Sequence, residues 1–260
     1  MRLYQYVKAD AIKKAFIQDG FLVKASHPCE FNDPFECTGG VYGNPKQSFV
    51  DELFANTTSM KSLEYLHCES KKNIRRVLWQ SFMDRRFLGQ AYKISFFSDA
   101  ERLANFPGSD IRMWAHYANN GMGVRIEFDS EDIPYRFDAV KYTYESPKLN
   151  LSEISSVDDI ETCVVTKHKI WEPEQEVRII FRGSSEGVCF DPEVRLWRWL
   201  LPIGYIKEIA IGEALLKSSN SSSSMKRIQS IVRNAPQTIS IVASVRDYNS
   251  FGLKYREITI

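Results

Sequence analysis

The sequence has few cysteines and no recognisable way of pairing them. Cys29, Cys37, Cys68, Cys163 and Cys189 are scattered, odd in number and without a C-x-x-C pair. That spacing supports neither a disulfide scaffold nor a zinc ribbon. Charge bias is also missing. The 34 Lys and Arg nearly cancel the 33 Asp and Glu, leaving a net charge of +1. No global field then gathers nucleic acid or membrane, although a local basic groove stays compatible with it. No apolar run reaches membrane-spanning length. Met1-Arg2-Leu3-Tyr4-Gln5-Tyr6 lacks the apolar stretch of a signal peptide. A reducing, cytoplasmic setting is expected. Gly-x-Gly-x-x-Gly, the phosphate-loop lysine motif and internal repeats are absent, which removes the common nucleotide-binding fingerprints.

What is present is a sizeable apolar fraction, 43% of 260 residues, enough to bury a core. Strand-like alternation predicts strands over 3–7, 92–97, 123–128, 140–144 and 206–211, with final strands over 238–245 and 253–260. A short strand is expected at 21–23. Helices are predicted over 11–18, around 113–118 with Ser109 or Asp110 as cap and Gly121 as stop, over 156–169 and over 225–232. Residues 218–224 read as a surface loop. A helical insertion is expected at about 46–88. The order lacks regular β-α-β alternation, so the expected fold class is α+β, in one domain over 1–260.

Trp171-Glu172-Pro173-Glu174-Gln175-Glu176-Val177-Arg178-Ile179-Ile180-Phe181 is the most informative segment. Three carboxylates in five residues lead into an apolar, β-branched run. Read as a strand, it puts Glu174, Glu176 and Arg178 on one side. Two acids and an arginine in line beside a core strand are costly to bury, which points to a cleft on that face. The plainer alternative is a solvated strand end with an Arg–Glu pair. Upstream, Asn32-Asp33-Pro34 is an ordinary turn former. Glu36, near Phe31 and Phe35, suggests a polar loop pinned to the core. Trp114 and Tyr117 share a helix face, as core packing or as a stacking platform beside Arg112, Asn119 and Asn120. Lys167 with Glu174, Glu176 and either Asp33 or Glu36 also resembles a nuclease-like metal site.

Leu3-Tyr4-Gln5-Tyr6, Phe31 to Glu36, Met113-Trp114-Ala115-His116-Tyr117 with 121–128, and K-x-x-x-W-x-x-E-x-E-x-R over 167–178 resemble successive signatures of a bacterial family of unknown function. The resemblance spans about 1–212 and implies no established activity. The layout is also similar to ADP-ribosyltransferases. In those enzymes the first strand carries a polar or aromatic NAD contact, and a late strand is headed by E-x-E, as in Glu174-Gln175-Glu176. Here Tyr4, Gln5 or Tyr6 stands where that pattern has His or Arg. This resemblance implies an ADP-ribosyltransferase-like mixed β core, with NAD as substrate and a role in phage defence or as a toxin. It implies Glu176 stabilising the ribosyl cation, Glu174 orienting or deprotonating a protein or nucleic-acid acceptor, and no metal. Tyr4, Tyr6, Asn32, Asp33, Trp114, Tyr117 and Arg178 would contact the cofactor. The alternatives are a metal-dependent nuclease using Asp33, Glu36, Glu174 and Glu176, and a non-catalytic sensor of a nucleotide or phage protein.

Overall fold

The computed structural model describes residues 1–31, 33, 36–37, 39–44, 46, 48, 92–131, 133–154, 161–182, 187–218, 222–250 and 252–260. Asn32 and nearly all of the expected 46–88 insertion lie outside the described residues. The chain opens with β1 (Arg2–Lys8), α1 (Ala9–Ala15), β2 (Phe16–Ile17), β3 (Gly20–Ala25) and β4 (Gly40–Tyr42). It continues with β5 (Tyr92–Asp99), α2 (Ala100–Ala104), α3 (Ser109–Tyr117), β6 (Gly123–Asp129), β7 (Asp138–Ala139), β8 (Lys141–Thr143) and β9 (Lys148–Asn150). Then come α4 (Glu161–Val164), β10 (Thr166–His168), a 3-10 turn at Lys169–Glu174, β11 (Glu176–Arg182), β12 (Val188–Asp191) and β13 (Leu196–Pro202). The chain ends with β14 (Ile206–Gly212), α5 (Glu213–Lys217), α6 (Ser222–Asn234), β15 (Ser240–Asp247) and β16 (Gly252–Glu257). The fold is mixed α+β and dominated by sheet.

Eight strands form the main sheet in the order β16-β15-β14-β6-β1-β5-β11-β7. Its neighbours pair antiparallel except β14 and β15, which run parallel. A second, antiparallel sheet has the order β12-β13-β3-β2. Alternation explains how the two meet. Val177, Ile179 and Phe181 of β11, Val124, Ile126 and Phe128 of β6, and Phe97 of β5 share one buried core with Phe21, Val23 and Trp199 of the second sheet. The Phe97 ring lies 5.1 Å from Phe128 and 6.3 Å from Trp199. The Trp199 indole donates to the Ser95 hydroxyl (2.9 Å), which donates to the Lys24 carbonyl (2.7 Å). α1 and α6 close the open end of this core through Ile12, Ile228 and Ile231.

The helix expected over 156–169 is a correction. Among the described residues it is helical only at Glu161–Val164, and Thr166–His168 pairs parallel with β8. Val165 and Thr166 are β-branched, so they resist continuation of the helix, and Thr166 fits the pleated strand that follows. The strand expected from Glu174 begins at Glu176. Pro173 cannot donate to a ladder, and Gln175 takes a left-handed conformation at φ 45. Strands β2, β4, β7, β9, β12 and β13 were not foreseen, the helix expected over 11–18 ends at Ala15, and the loop expected over 218–224 is already helical from Ser222. Phe97→Ala should cost about 3–5 kcal/mol, the usual range for truncating a buried phenylalanine. Urea unfolding measures this, and a loss under about 1 kcal/mol would show that the two sheets do not share one packed core.

Candidate functional site

β1 and β5 stay together for only two residue pairs, Leu3 with Asp99 and Tyr4 with Ser98. Further along β5, Ser26 at the end of β3 exchanges both backbone hydrogen bonds with Ile94, each 2.8 Å. Between these points the sheet is split. Backbone groups alternate sides along an antiparallel strand, so Phe96, two residues from Ile94, turns its N–H and C=O toward the gap. A pocket of about 440 Å³ occupies the split. Tyr4, Gln5 and Tyr6 of β1, Phe96 of β5, Phe31, and Met113 and Tyr117 of α3 line it. Glu36, Lys167, Glu174 and Glu176 form its charged wall, and Lys8, Lys24 and Glu30 also face it.

The charged wall is a buried cluster. Lys167 Nζ donates to Glu174 (2.7 Å) and Glu176 (3.0 Å) and lies 3.7 Å from Glu36. Arg178 Nε donates to Glu176 Oε1 (2.9 Å), and its NH2 group donates to Glu36 and to Glu176 Oε2 (3.2 Å). The remaining nitrogen donates to the Val164 carbonyl and faces Cys37 Sγ at 3.8 Å. Tyr117 donates to Glu174 (2.6 Å), and the Glu176 backbone N–H donates to the Tyr142 hydroxyl (2.8 Å). Arg178 is 0% exposed, and the three glutamates are at most 4% exposed.

Local structure explains the convergence. β11 places Glu176 and Arg178 on the face opposite Val177 and Ile179. That face is covered by Cys37, Leu149, Leu151, Cys163 and Val164. The β10–β8 register sets Lys167 beside Tyr142. Glu174 arrives from the 3-10 turn, not from the strand. Cys37, at φ 56, turns the loop that brings Glu36 in. Gly39 lets that loop close, since a Cβ there would sit 2.8 Å from Cys163 Sγ and 3.0 Å from the Pro147 carbonyl.

The electrostatics separate the two acids that Arg178 holds. Burial opposes ionisation of Glu176, but Arg178 and Lys167 outweigh it and hold the carboxyl below the usual range. Burial raises Glu36, the Glu176 charge adds to the rise, and Arg178 and Lys167 offset it only in part. Burial alone would lower Lys167, yet Glu176, Glu36 and Glu174 raise it, so the ammonium persists. Burial and then the Glu174 charge raise Tyr117, which stays a phenol donor. Burial also raises the Cys37 thiol against the pull of Arg178, which leaves it a poor nucleophile.

The sequence-selected residues fall in several places. Tyr4, Tyr6, Tyr117, Glu174 and Glu176 line the one pocket. Arg178 lies behind it, engaged by Glu176 and Glu36. Trp114 packs edge-on to Tyr6 at 5.7 Å and lines a different pocket, of about 460 Å³, with Arg246 and Tyr248. Asp33 is buried and lines a third, also about 460 Å³, which adjoins Lys167 from the side of Tyr144, His168 and Trp171. Tyr142, the Val164 carbonyl and the cleft residues Lys8, Lys24, Glu30 and Phe96 were not foreseen in the site. Only the strand-like pattern at 140–144 hinted at Tyr142.

Residues 113–179 match a family described as protein of unknown function (DUF2971). The matched segment contains Tyr117, Tyr142, Lys167, Glu174, Glu176 and Arg178, while Tyr4, Tyr6 and Glu36 lie outside it. No curated protein and no solved structure matches the chain.

Arg178→Met should destabilise the fold by about 3–5 kcal/mol, because it strands a buried carboxylate. Chemical denaturation checks the size. The two acids also act on stability with opposite signs. Glu176 has a lowered pKa in the fold, so its contribution is complete above the ordinary glutamate value of about 4.3 and is lost as pH falls through the lowered value. Glu36 has a raised pKa, so its contribution is complete below about 4.3 and is lost as pH rises through the raised value. Melting temperatures recorded from about pH 3 to pH 8 should lose part of their acid-side slope in Glu176→Gln. They should lose part of the slope above the ordinary range in Glu36→Gln. Profiles parallel to wild type in both variants would uncouple these acids from folding.

Proposed function

We propose that the split-sheet cleft binds an NAD-like nucleotide and that the protein is an ADP-ribosyltransferase-like enzyme, with Glu176 as its catalytic carboxylate. The observation that carries this is Glu176 itself, an acid on the cleft wall that Arg178 and Lys167 keep ionised although it is buried. Breaking the nicotinamide–ribose bond builds positive charge on the sugar. A preorganised anion stabilises that charge without having to reorient. A carboxylate has about four acceptor positions, and the donors from Arg178 and Lys167 use three of them on Glu176. A ribose hydroxyl or the cation itself can take the remaining one on Oε1.

The other parts have roles in this reading. Tyr4, Tyr6, Tyr117 and Phe96 offer rings against which a base can stack. Lys8 and Lys24 supply cations for a diphosphate. Glu174, oriented by Tyr117 and Lys167, faces the acceptor, a protein or nucleic-acid group. Arg178 holds Glu176 and does not meet the nucleotide. Glu36 and Glu176, shifted in opposite directions, stand side by side on one arginine, a pairing suited to acid–base work. A defence or toxin role belongs to the same proposal. The nuclease reading has less support. Lys167 Nζ sits 2.7, 3.0 and 3.7 Å from the three acids, in the position a cation would need. Among the described residues, no group of three or more His, Cys, Asp or Glu has the geometry to hold a metal ion.

Nicotinamide release from NAD, with protein and nucleic-acid acceptors supplied, tests the reading. Glu176→Gln should lower turnover on the order of a hundredfold to a thousandfold, the usual loss for one preorganised electrostatic contact. EDTA should leave wild-type turnover unchanged. A Glu176→Gln variant with a lowered melting temperature and undiminished turnover would reduce Glu176 to a structural ion pair. Wild type that leaves NAD intact, or whose activity EDTA abolishes, would overturn the proposal.

A further inference from the structure

We propose that Arg125 is a positioning residue for the cleft, a buried cation that sets the two β1 tyrosines forming its aromatic wall. The inference rests on the reading of the split as a ligand site, and it concerns a residue that does not line it. Arg125 lies on β6, next to β1 in the sheet. Its side chain is 6% exposed. The guanidinium centre is 4.0 Å from the Tyr4 ring centroid and 4.1 Å from that of Tyr255, so the cation is held between two aromatic rings.

Carboxylates hold it at the edge. NH2 donates to Glu208 of β14 at 2.8 Å, and NH1 lies 3.8 Å from Asp110 of α3. Asp110 accepts from the Tyr6 hydroxyl (2.8 Å) and from the Tyr255 hydroxyl, to which the Trp114 indole also donates (2.9 Å). Tyr4 and Tyr6 stand edge to face at 6.4 Å. One guanidinium therefore ties together β1, β6, β14, β16 and α3.

Two features separate positioning from a plain ion pair. First, Arg125 Nε is buried without a hydrogen-bond partner among the described residues. The residue forgoes a bond that its fork could make, which costs stability. The stacked orientation is kept over full hydrogen bonding. Second, two members of the network, Tyr4 and Tyr6, are cleft residues, and the others, Tyr255, Glu208 and Asp110, lie behind them. Arg125 holds the back of Tyr4, and Asp110 fixes the hydroxyl of Tyr6, while both tyrosines line the pocket. Asp110 also anchors one end of the helix whose other end presents Tyr117 to Glu174. The aromatic wall and the acid wall are thus set relative to each other through α3. Only a planar, always-charged group can stack on two rings and reach two carboxylates, so lysine is not equivalent here.

The test uses Arg125→Lys and, because that variant removes a buried fork, Tyr255→Phe as a milder second change. NAD kinetics and 13C-tyrosine NMR are recorded on the full chain. In Arg125→Lys, KM for NAD should rise about tenfold with kcat within about threefold of wild type. In both variants the Tyr4 and Tyr6 ring signals should shift and average. A merely structural residue would lower the melting temperature and leave KM and these ring signals where they were, and that result would overturn the proposal. Unchanged Tyr4 and Tyr6 signals in both variants would do the same. If wild type does not consume NAD, the functional reading fails separately, and the ring signals still decide the role of Arg125.

Discussion

Three glutamates and two cations buried in one contact govern the arrangement of this protein around its cleft. Taking such charges out of water is expensive, and a buried ion pair is poor evidence for stability by itself. The cluster is tolerated because its groups satisfy one another. Arg178 engages Glu36, Glu176 and the Val164 carbonyl, and Lys167 bridges Glu174 and Glu176. These bonds join the loop at Glu36, α4, β10, the 3-10 turn and β11. Segments far apart in sequence meet there because each carries a charge that the others balance.

The split between β1 and β5 is the second constraint. A sheet interior normally pairs its backbone groups, and leaving them unpaired and dry is costly. Here β5 passes from β1 to the end of β3 within a few residues. The gap exposes polar backbone at the place where aromatic and charged side chains converge. An opening in the middle of a sheet has rigid walls, so groups lining it are held more firmly than groups on a surface loop. This geometry is the reason to read the pocket as a site rather than as a packing defect.

Much of this was legible in local pattern, and the failures have physical causes. Alternation along β11 correctly put Glu176 and Arg178 on one face opposite Val177 and Ile179. Glu174 reached the same cluster by a different route, because Pro173 and the left-handed Gln175 break the strand before it. The sheet split could not be read, since it depends on where distant strands stop pairing. Arg125 was invisible for a related reason. Val124-Arg125-Ile126-Glu127-Phe128 reads as a half-exposed strand with its charges in water. The charges are covered only because α3 and β16 pack over that face, and Trp114 turned out to belong to that cover.

The two cations of the cluster are not equivalent, and the difference bears on how the site works. Arg178 is fully buried and fixed by its planar fork, so it acts as a permanent support for Glu176. Lys167 is a single ammonium on a flexible stem, and it lines both the cleft and the pocket beside Trp171 and His168. Its Nζ also lies 5.0 Å from the Trp171 ring. Its ammonium contacts Glu174 and Glu176 directly and lies 3.7 Å from Glu36, so all three acids share one cation. Arg178 fixes Glu36 and Glu176, and Lys167 joins Glu174 to them. The acid wall of the cleft is thus held by two cations of different shape, a planar fork behind it and a point charge at its surface.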